Sequence, residues 1–225
     1  MRRVCVVCEG QTEETFVRDV LAPAFAPLDI FLIGETIETS VGHKGGALSY
    51  ERVRKHLRNT LRQNSAPVVT TLIDLYRLDS GFPEYATAQA ATTLEQKLTI
   101  LTNAMHADLV ALTQCSAARF IPYIQPYEFE ALLFSDVDGL TGIETGWARA
   151  NAALRTVRDN ASSPEHINAR PETKPAAHLE RELSHPNYRK QRHGSIAASA
   201  IGLERIEREC HFFAGWLNQL RALAS

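Results

Sequence analysis

Apolar positions in the first half of the chain alternate between two rhythms. Residues 3–8 (RVCVVC) form a short, nearly continuous apolar run that predicts a buried strand. Residues 12–25 (TEETFVRDVLAPAF) set Phe16, Val17, Val20 and Leu21 along one helical stripe. Thr12 can cap that helix, Glu13 and Glu14 suit its positive end, and Pro23 bends or ends it. The alternation continues with strands over 30–37 (IFLIGETI), 67–74 (PVVTTLID) and 118–125 (ARFIPYIQ). Helices are expected at 49–63 and about 86–113, and EFEALLFSD reads as helix directly after the fourth strand. Beyond residue 137 no strand pattern recurs. TGWARANAALRTVRDN, GSIAASAIGLERIEREC and FFAGWLNQLRAL are helical, one helix starting near Gly194, and ASSPEHINARPETKP reads as a polar linker or exposed loop.

Strands alternating with helices imply parallel pairing through right-handed crossovers. The expected fold is α/β. A parallel sheet of about four strands, sandwiched by helices, occupies residues 1–136, and a helical C-terminal extension, residues 137–225, packs on it. With 225 residues, 44% of them hydrophobic, the chain can bury one sizeable core. No apolar run approaches the ~18 residues of a membrane span, and the apolar run after Arg2 and Arg3 breaks at Glu9, too early for a signal peptide. Twenty-four basic residues balance 26 acidic ones, so net charge neither requires nor excludes a nucleic-acid partner. Cys5 and Cys8 lie three apart, on opposite faces of a strand, and Cys115 and Cys210 are scattered. This usage points to a reduced cytoplasmic protein without structural zinc.

Candidate chemistry gathers where strands end. The first strand ends at Glu9, the third at Asp74, and the fourth runs into Glu128 with Glu130 close behind. In a parallel sheet these ends share one edge, where such folds place ligands. Clustered carboxylates repel one another, and a hard divalent cation relieves that repulsion. Magnesium or manganese held there would serve phosphodiester hydrolysis. The plainer reading is that each acid caps a neighbouring helix. Glu13 and Glu14 read as helix N-terminal charges, and Glu128 ranks above Glu130 as a ligand.

The stretch VVCEGQTEETFV resembles the opening motif of TOPRIM domains: a strand, a Glu-Gly turn, then a helix. EGQTEETFV, LIDLYRL, PYIQPYEFEALLFSD and AIGLERIEREC together resemble a bacterial TOPRIM-like family of unknown function, related to OLD-type TOPRIM nucleases. The resemblance implies a magnesium site with Glu9 and Asp74 as ligands, nuclease action on DNA or RNA, and a role in phage defence beside an ATPase. The second aspartate of the family's Asp-x-Asp pair falls on Tyr76, with Asp79 in the same loop at the wrong spacing. Glu128 and Glu130 stand where they can supply the missing ligand. The alternative is a catalytically reduced TOPRIM-like sensor or partner of an ATPase.

Basic segments change this picture in one place. NYRKQRHG, residues 187–194, is the densest, and Lys190 is the candidate to bear charge on a scissile phosphate, with Lys174 next. His193 is a weaker general-base candidate. GHKGG (42–46) reads as a mobile turn or a phosphate loop. Arg52, Arg54, Lys55, Arg58 and Arg62 read as a solvated face or a phosphate stripe. Tyr123, Tyr127, Phe129 and Phe134 read as core, or as a stacking platform for bases.

Overall fold

The computed structural model describes residues 1–37, 48–76, 78–167 and 170–224; the GHKGG segment lies outside the described residues. Strands β1 (Arg2–Cys8), β2 (Ile30–Thr36) and β3 (Val68–Asp74) pair in parallel, with β1 between the other two. Register runs from Arg2 opposite Ile30 to Cys8 opposite Thr36, and from Val4 opposite Val68 to Cys8 opposite Leu72. The sheet is completed beyond β3 by two short pieces, β4 (Phe120–Ile121) and β5 (Ile124–Gln125), both parallel to it.

The expected fourth strand is therefore split, and Pro122 explains why: it has no N–H to give to the ladder. The Thr71 hydroxyl fills the gap, accepting from the Tyr123 N–H at 2.8 Å and donating to its carbonyl at 2.7 Å.

The first helical segment departs from a plain α-helix in a similar way. It comprises α1 (Gln11–Phe16), a wide π turn over Val17–Leu21, and α2 (Ala22–Phe25). The widened turn lies just before Pro23, which cannot donate to it. Helix α3 (Tyr50–Leu61) follows β2. The stretch expected as one helix at 86–113 divides into α4 (Tyr85–Gln89) and α5 (Leu94–Thr113), because Thr93 starts the second by accepting from the Gln96 N–H. EFEALLFSD is not α-helical. Phe129–Ser135 winds as a wholly buried 3-10 segment, after which Asp136 caps α6 (Val137–Thr141). The chain continues through α7 (Asn151–Asp159), α8 (Pro175–Glu182), α9 (Lys190–Ile201), α10 (Leu203–Glu209) and α11 (His211–Arg221). None of the helices among the described residues is long and apolar enough to cross a membrane.

Two apolar clusters sandwich the sheet. On one face Val4, Val6, Cys8 and Leu72 pack with Phe16, Phe129, Ile206, Phe213 and Trp216, so the C-terminal helices share this core. On the other, Cys5, Val7 and Ile73 pack with Val53 and Leu57 of α3 and Leu101 and Met105 of α5. Cys5 and Cys8 thus point to opposite faces, as their spacing predicts, and all four cysteines are free thiols. Tyr123, Phe129 and Phe134 are core residues, with Tyr123 stacked on Trp216 at 4.6 Å.

The segment read as a polar linker or exposed loop packs into the fold over its first part. Ser163, Pro164, Glu165 and Ile167 are buried, and both Glu165 carboxylate oxygens accept backbone N–H groups of α11, from Phe212 and Phe213 at 2.9 Å each. The carboxylate satisfies donors that a helix start leaves without partners, which is why an acid tolerates that depth.

Helix α9 begins at Lys190, earlier than the expected start near Gly194. His193 holds this early start: its Nδ1 accepts from the Arg189 N–H at 2.9 Å. Gly194 then lets α9 approach α1. A Cβ there would stand 2.8 Å from Thr12 Cγ2 and 3.1 Å from Phe129 Cε1. Gly194→Val is expected to overpack this contact and destabilise the fold by about 1–3 kcal/mol. Urea unfolding measures it; an unchanged midpoint would show that the approach is not tight.

Candidate functional site

The site lies at the C-terminal edge of the sheet, where β1 and β3 end side by side. Glu9 follows β1, and its N–H still pairs with the Leu72 carbonyl at 3.2 Å. Its side chain turns toward β3, where Oε2 accepts the Asp74 N–H at 3.1 Å. Asp74 is the last residue of β3 and is 7% exposed. Its Oδ1 accepts the Phe129 N–H at 2.9 Å, which ties the strand end to the turn ahead of the 3-10 segment. That turn depends on Tyr127 at φ 57°, and it brings Glu128 and Glu130 back toward β3.

Lys190 joins these acids. Its Nζ stands 3.0 Å from Glu13 Oε1, 3.4 Å from Asp74 Oδ2 and 3.4 Å from Glu130 Oε2. Glu13 is 2% exposed and Glu130 0% exposed. Lys190 comes from the first turn of α9 and Glu13 from the first turn of α1, so the close approach at Gly194 is what lets them meet.

This placement corrects two sequence readings. Glu13 is a member of the cluster and not merely a helix-end charge. Glu130 also outranks Glu128. Glu128 is committed elsewhere, with Oε1 2.6 Å from Lys174 Nζ and Oε2 accepting the Ala176 N–H of α8 at 3.0 Å. Lys174 in turn lies over the Tyr76 ring at 4.7 Å, so it braces Glu128 and does not reach into the cluster. His193 fails as a general base. Its acceptor nitrogen already takes the Arg189 N–H, and its ring is buried against Trp147 and Tyr188. Asp79 accepts the Gly81 N–H within its own loop. The α3 cations are partly committed as well: Arg54 forms a two-pronged pair with Asp108, and Arg62 donates to the Leu112 carbonyl.

The electrostatics follow from four carboxylates facing one ammonium. Burial pushes the Asp74 carboxyl well above its ordinary range; Lys190 opposes this, while Glu9, Glu13 and Glu130 add repulsion. Burial likewise raises Glu9, against the hydrogen bond from the Asp74 N–H, and it raises Glu130 against the pull of Lys190. Burial alone would lower Lys190, but Asp74, Glu130 and Glu13 outweigh it and hold the ammonium well above the usual lysine range. Lys190 is therefore a permanent cation at any pH of interest.

Charge and donor chemistry fit a hard divalent ion. Glu13 Oε1 and Glu130 Oε2 are buried and receive no hydrogen bond; the Lys190 ammonium is their ion-pair partner. Even so, no three Asp, Glu, His or Cys side chains among the described residues stand ready to hold a metal. Lys190 Nζ occupies the meeting point, so uptake of an ion requires the side chains to part around it. Beside the cluster opens a cleft of about 570 Å³, lined by Glu9, Gly10, Gln11, Thr12 and Glu13 on one wall and Arg189, Lys190 and Gln191 on the other.

Compared with known proteins, the chain matches a family described as a domain of unknown function (DUF4276) over residues 8–221. No curated protein and no solved structure matched it.

Proposed function

We propose, for a chain that belongs to the DUF4276 family, magnesium-dependent hydrolysis of phosphodiester bonds in nucleic acid. The observation that carries this reading is the meeting of Glu9, Glu13, Asp74 and Glu130 around Lys190 beside an open cleft. A set of buried acids with one counter-cation is costly to fold, and either protonation or a bound cation relieves that cost. The likeness of VVCEGQTEETFV to the TOPRIM opening motif supports the same reading.

Glu9, Asp74, Glu13 and Glu130 would hold the ion, and Glu128 would keep its place between Lys174 and α8. Magnesium, when bound, supplies charge neutralisation at the phosphate and activation of water. Lys190 lines the cleft and carries a charge that does not titrate, so it can bear negative charge developing on a phosphate oxygen. Burial raises the proton affinity of the Glu9 carboxyl, against the hydrogen bond from the Asp74 N–H, so a bound cation would relieve it.

The test is hydrolysis of labelled single- and double-stranded DNA and RNA in magnesium or manganese. Activity should vanish with EDTA and fall at least about a hundredfold in Asp74→Asn and in Glu9→Gln, with the fold preserved by circular dichroism. Cleavage unchanged in both variants would end this reading.

One observation favours a second reading, a TOPRIM-like sensor or ATPase partner without chemistry. Lys190 already pairs with three of the acids, and Tyr76 stands where the family resemblance puts a carboxylate. Intact partner binding by Asp74→Asn and Glu9→Gln, with no hydrolysis by the parent protein, would establish it.

A further inference from the structure

We infer, resting on the hydrolase reading above, that the cleft takes an unpaired strand of DNA or RNA, a single-stranded stretch or a frayed end, and not duplex backbone. The acids lie deep: Glu13, Asp74 and Glu130 are each at least nine-tenths buried. Among the described residues, the cleft that opens beside them runs between the first turns of α1 and α9, and a phosphate approaching the acids there descends between those turns. The space there, about 570 Å³, is that of a small-molecule pocket and accommodates a nucleotide-sized group. A phosphate entering such a recess brings its flanking sugars with it. An unpaired strand bends to allow this. A duplex resists, because its backbone is held by stacked pairs and stays stiff over ~150 base pairs.

The cleft walls carry matching chemistry. Arg189 is exposed on one wall, and its guanidinium has no ion-pair partner among the described residues. Lys190 follows it, and the first turn of α9, whose Arg189 N–H is taken by His193 Nδ1, lies along the same wall. The opposite wall carries Glu9 and Glu13, so a polyanion enters against acidic repulsion unless a divalent cation is present. Strand binding is therefore coupled to the cation, with Arg189 as the backbone contact that remains outside the acid cluster.

The experiment is fluorescence anisotropy with a labelled DNA strand, its RNA equivalent and the matching blunt DNA duplex. Calcium replaces magnesium so that binding is read without turnover, and EDTA gives the cation-free arm. The expected result is that the single strands bind at least about tenfold tighter than the duplex and weaken in EDTA. Arg189→Gln should make the slope of log K against log salt shallower by about 0.7, the loss of one phosphate contact to a single strand. Equal or tighter duplex binding overturns the inference, and so does an unchanged salt slope in Arg189→Gln. Magnesium-dependent internal cleavage of blunt duplex as fast as of single strand also overturns it, while leaving the hydrolase reading intact. Strand preference without hydrolysis in magnesium or manganese upholds the inference and removes the hydrolase. No binding to any of the three probes overturns both.

Discussion

Lys190→Met is expected to cost about 3 kcal/mol of stability at pH 8, read as a lower urea midpoint. Removing one partner from a buried ion pair leaves the other uncompensated, at roughly 3–5 kcal/mol. Here three carboxylates are left facing one another. The low end applies because the Lys190 side chain is 37% exposed, and cleft water screens part of the repulsion. The loss should depend on pH. Burial already raises the proton affinity of Asp74, Glu9 and Glu130, and without the ammonium they would hold protons still more firmly. At pH 5 the variant can neutralise its acids by protonation, so most of the deficit should disappear. Magnesium or manganese at pH 8 should recover stability by the same logic, an ion taking the place of the lost ammonium. A deficit equal at pH 5 and pH 8, and untouched by divalent ions, would mean that Lys190 contributes packing alone. This measurement does not depend on turnover, so it also examines whether the acids accept a metal if no substrate is ever identified.

The sheet edge that makes this cluster was legible in the sequence because strand periodicity is local. Apolar runs ending at Cys8 and Asp74 locate β1 and β3, parallel pairing puts both ends on one edge, and Glu9 and Asp74 meet there. Lys190 was legible as the best cation in the densest basic stretch. What was hidden depends on contacts between distant elements. An acid in the first turn of α1 looks the same whether it faces water or a neighbouring helix, and only the approach of α9 at Gly194 decides for Glu13. The choice between Glu128 and Glu130 turns on one left-handed residue, Tyr127, and on α8 supplying the Ala176 N–H; neither leaves a periodic trace. The early start of α9 was missed because its cap is a histidine four residues downstream and not a serine or aspartate at the boundary. Pro122 could have been read as an interruption, since its missing donor is a property of the residue itself.

Glu165 predicts a stability profile that runs opposite to ordinary acid denaturation. Burial pushes its carboxyl up to about 7, against the hydrogen bonds from Phe212 and Phe213. In the unfolded chain it returns to about 4.5. Between these values the folded state binds the proton more tightly, so unfolding releases it and stability falls as pH rises. The contribution is fully present below about pH 4.5 and lost by about pH 7. Its size, from the rise from about 4.5 to about 7, is about 3 kcal/mol. The acid cluster shifts in the same direction, while Asp108, held low by the Arg54 guanidinium, opposes it. A single profile therefore mixes several groups, and the discriminating quantity is a difference. Glu165→Gln keeps one acceptor oxygen at the start of α11 and cannot ionise. The gap in unfolding free energy between Glu165→Gln and the parent chain, measured in urea at pH 5 and again at pH 8, should change by about 2.5 kcal/mol, with the glutamine variant relatively better at pH 8. Parallel profiles would show that Glu165 keeps its ordinary titration in the fold and that the α11 N–H groups fully offset its burial.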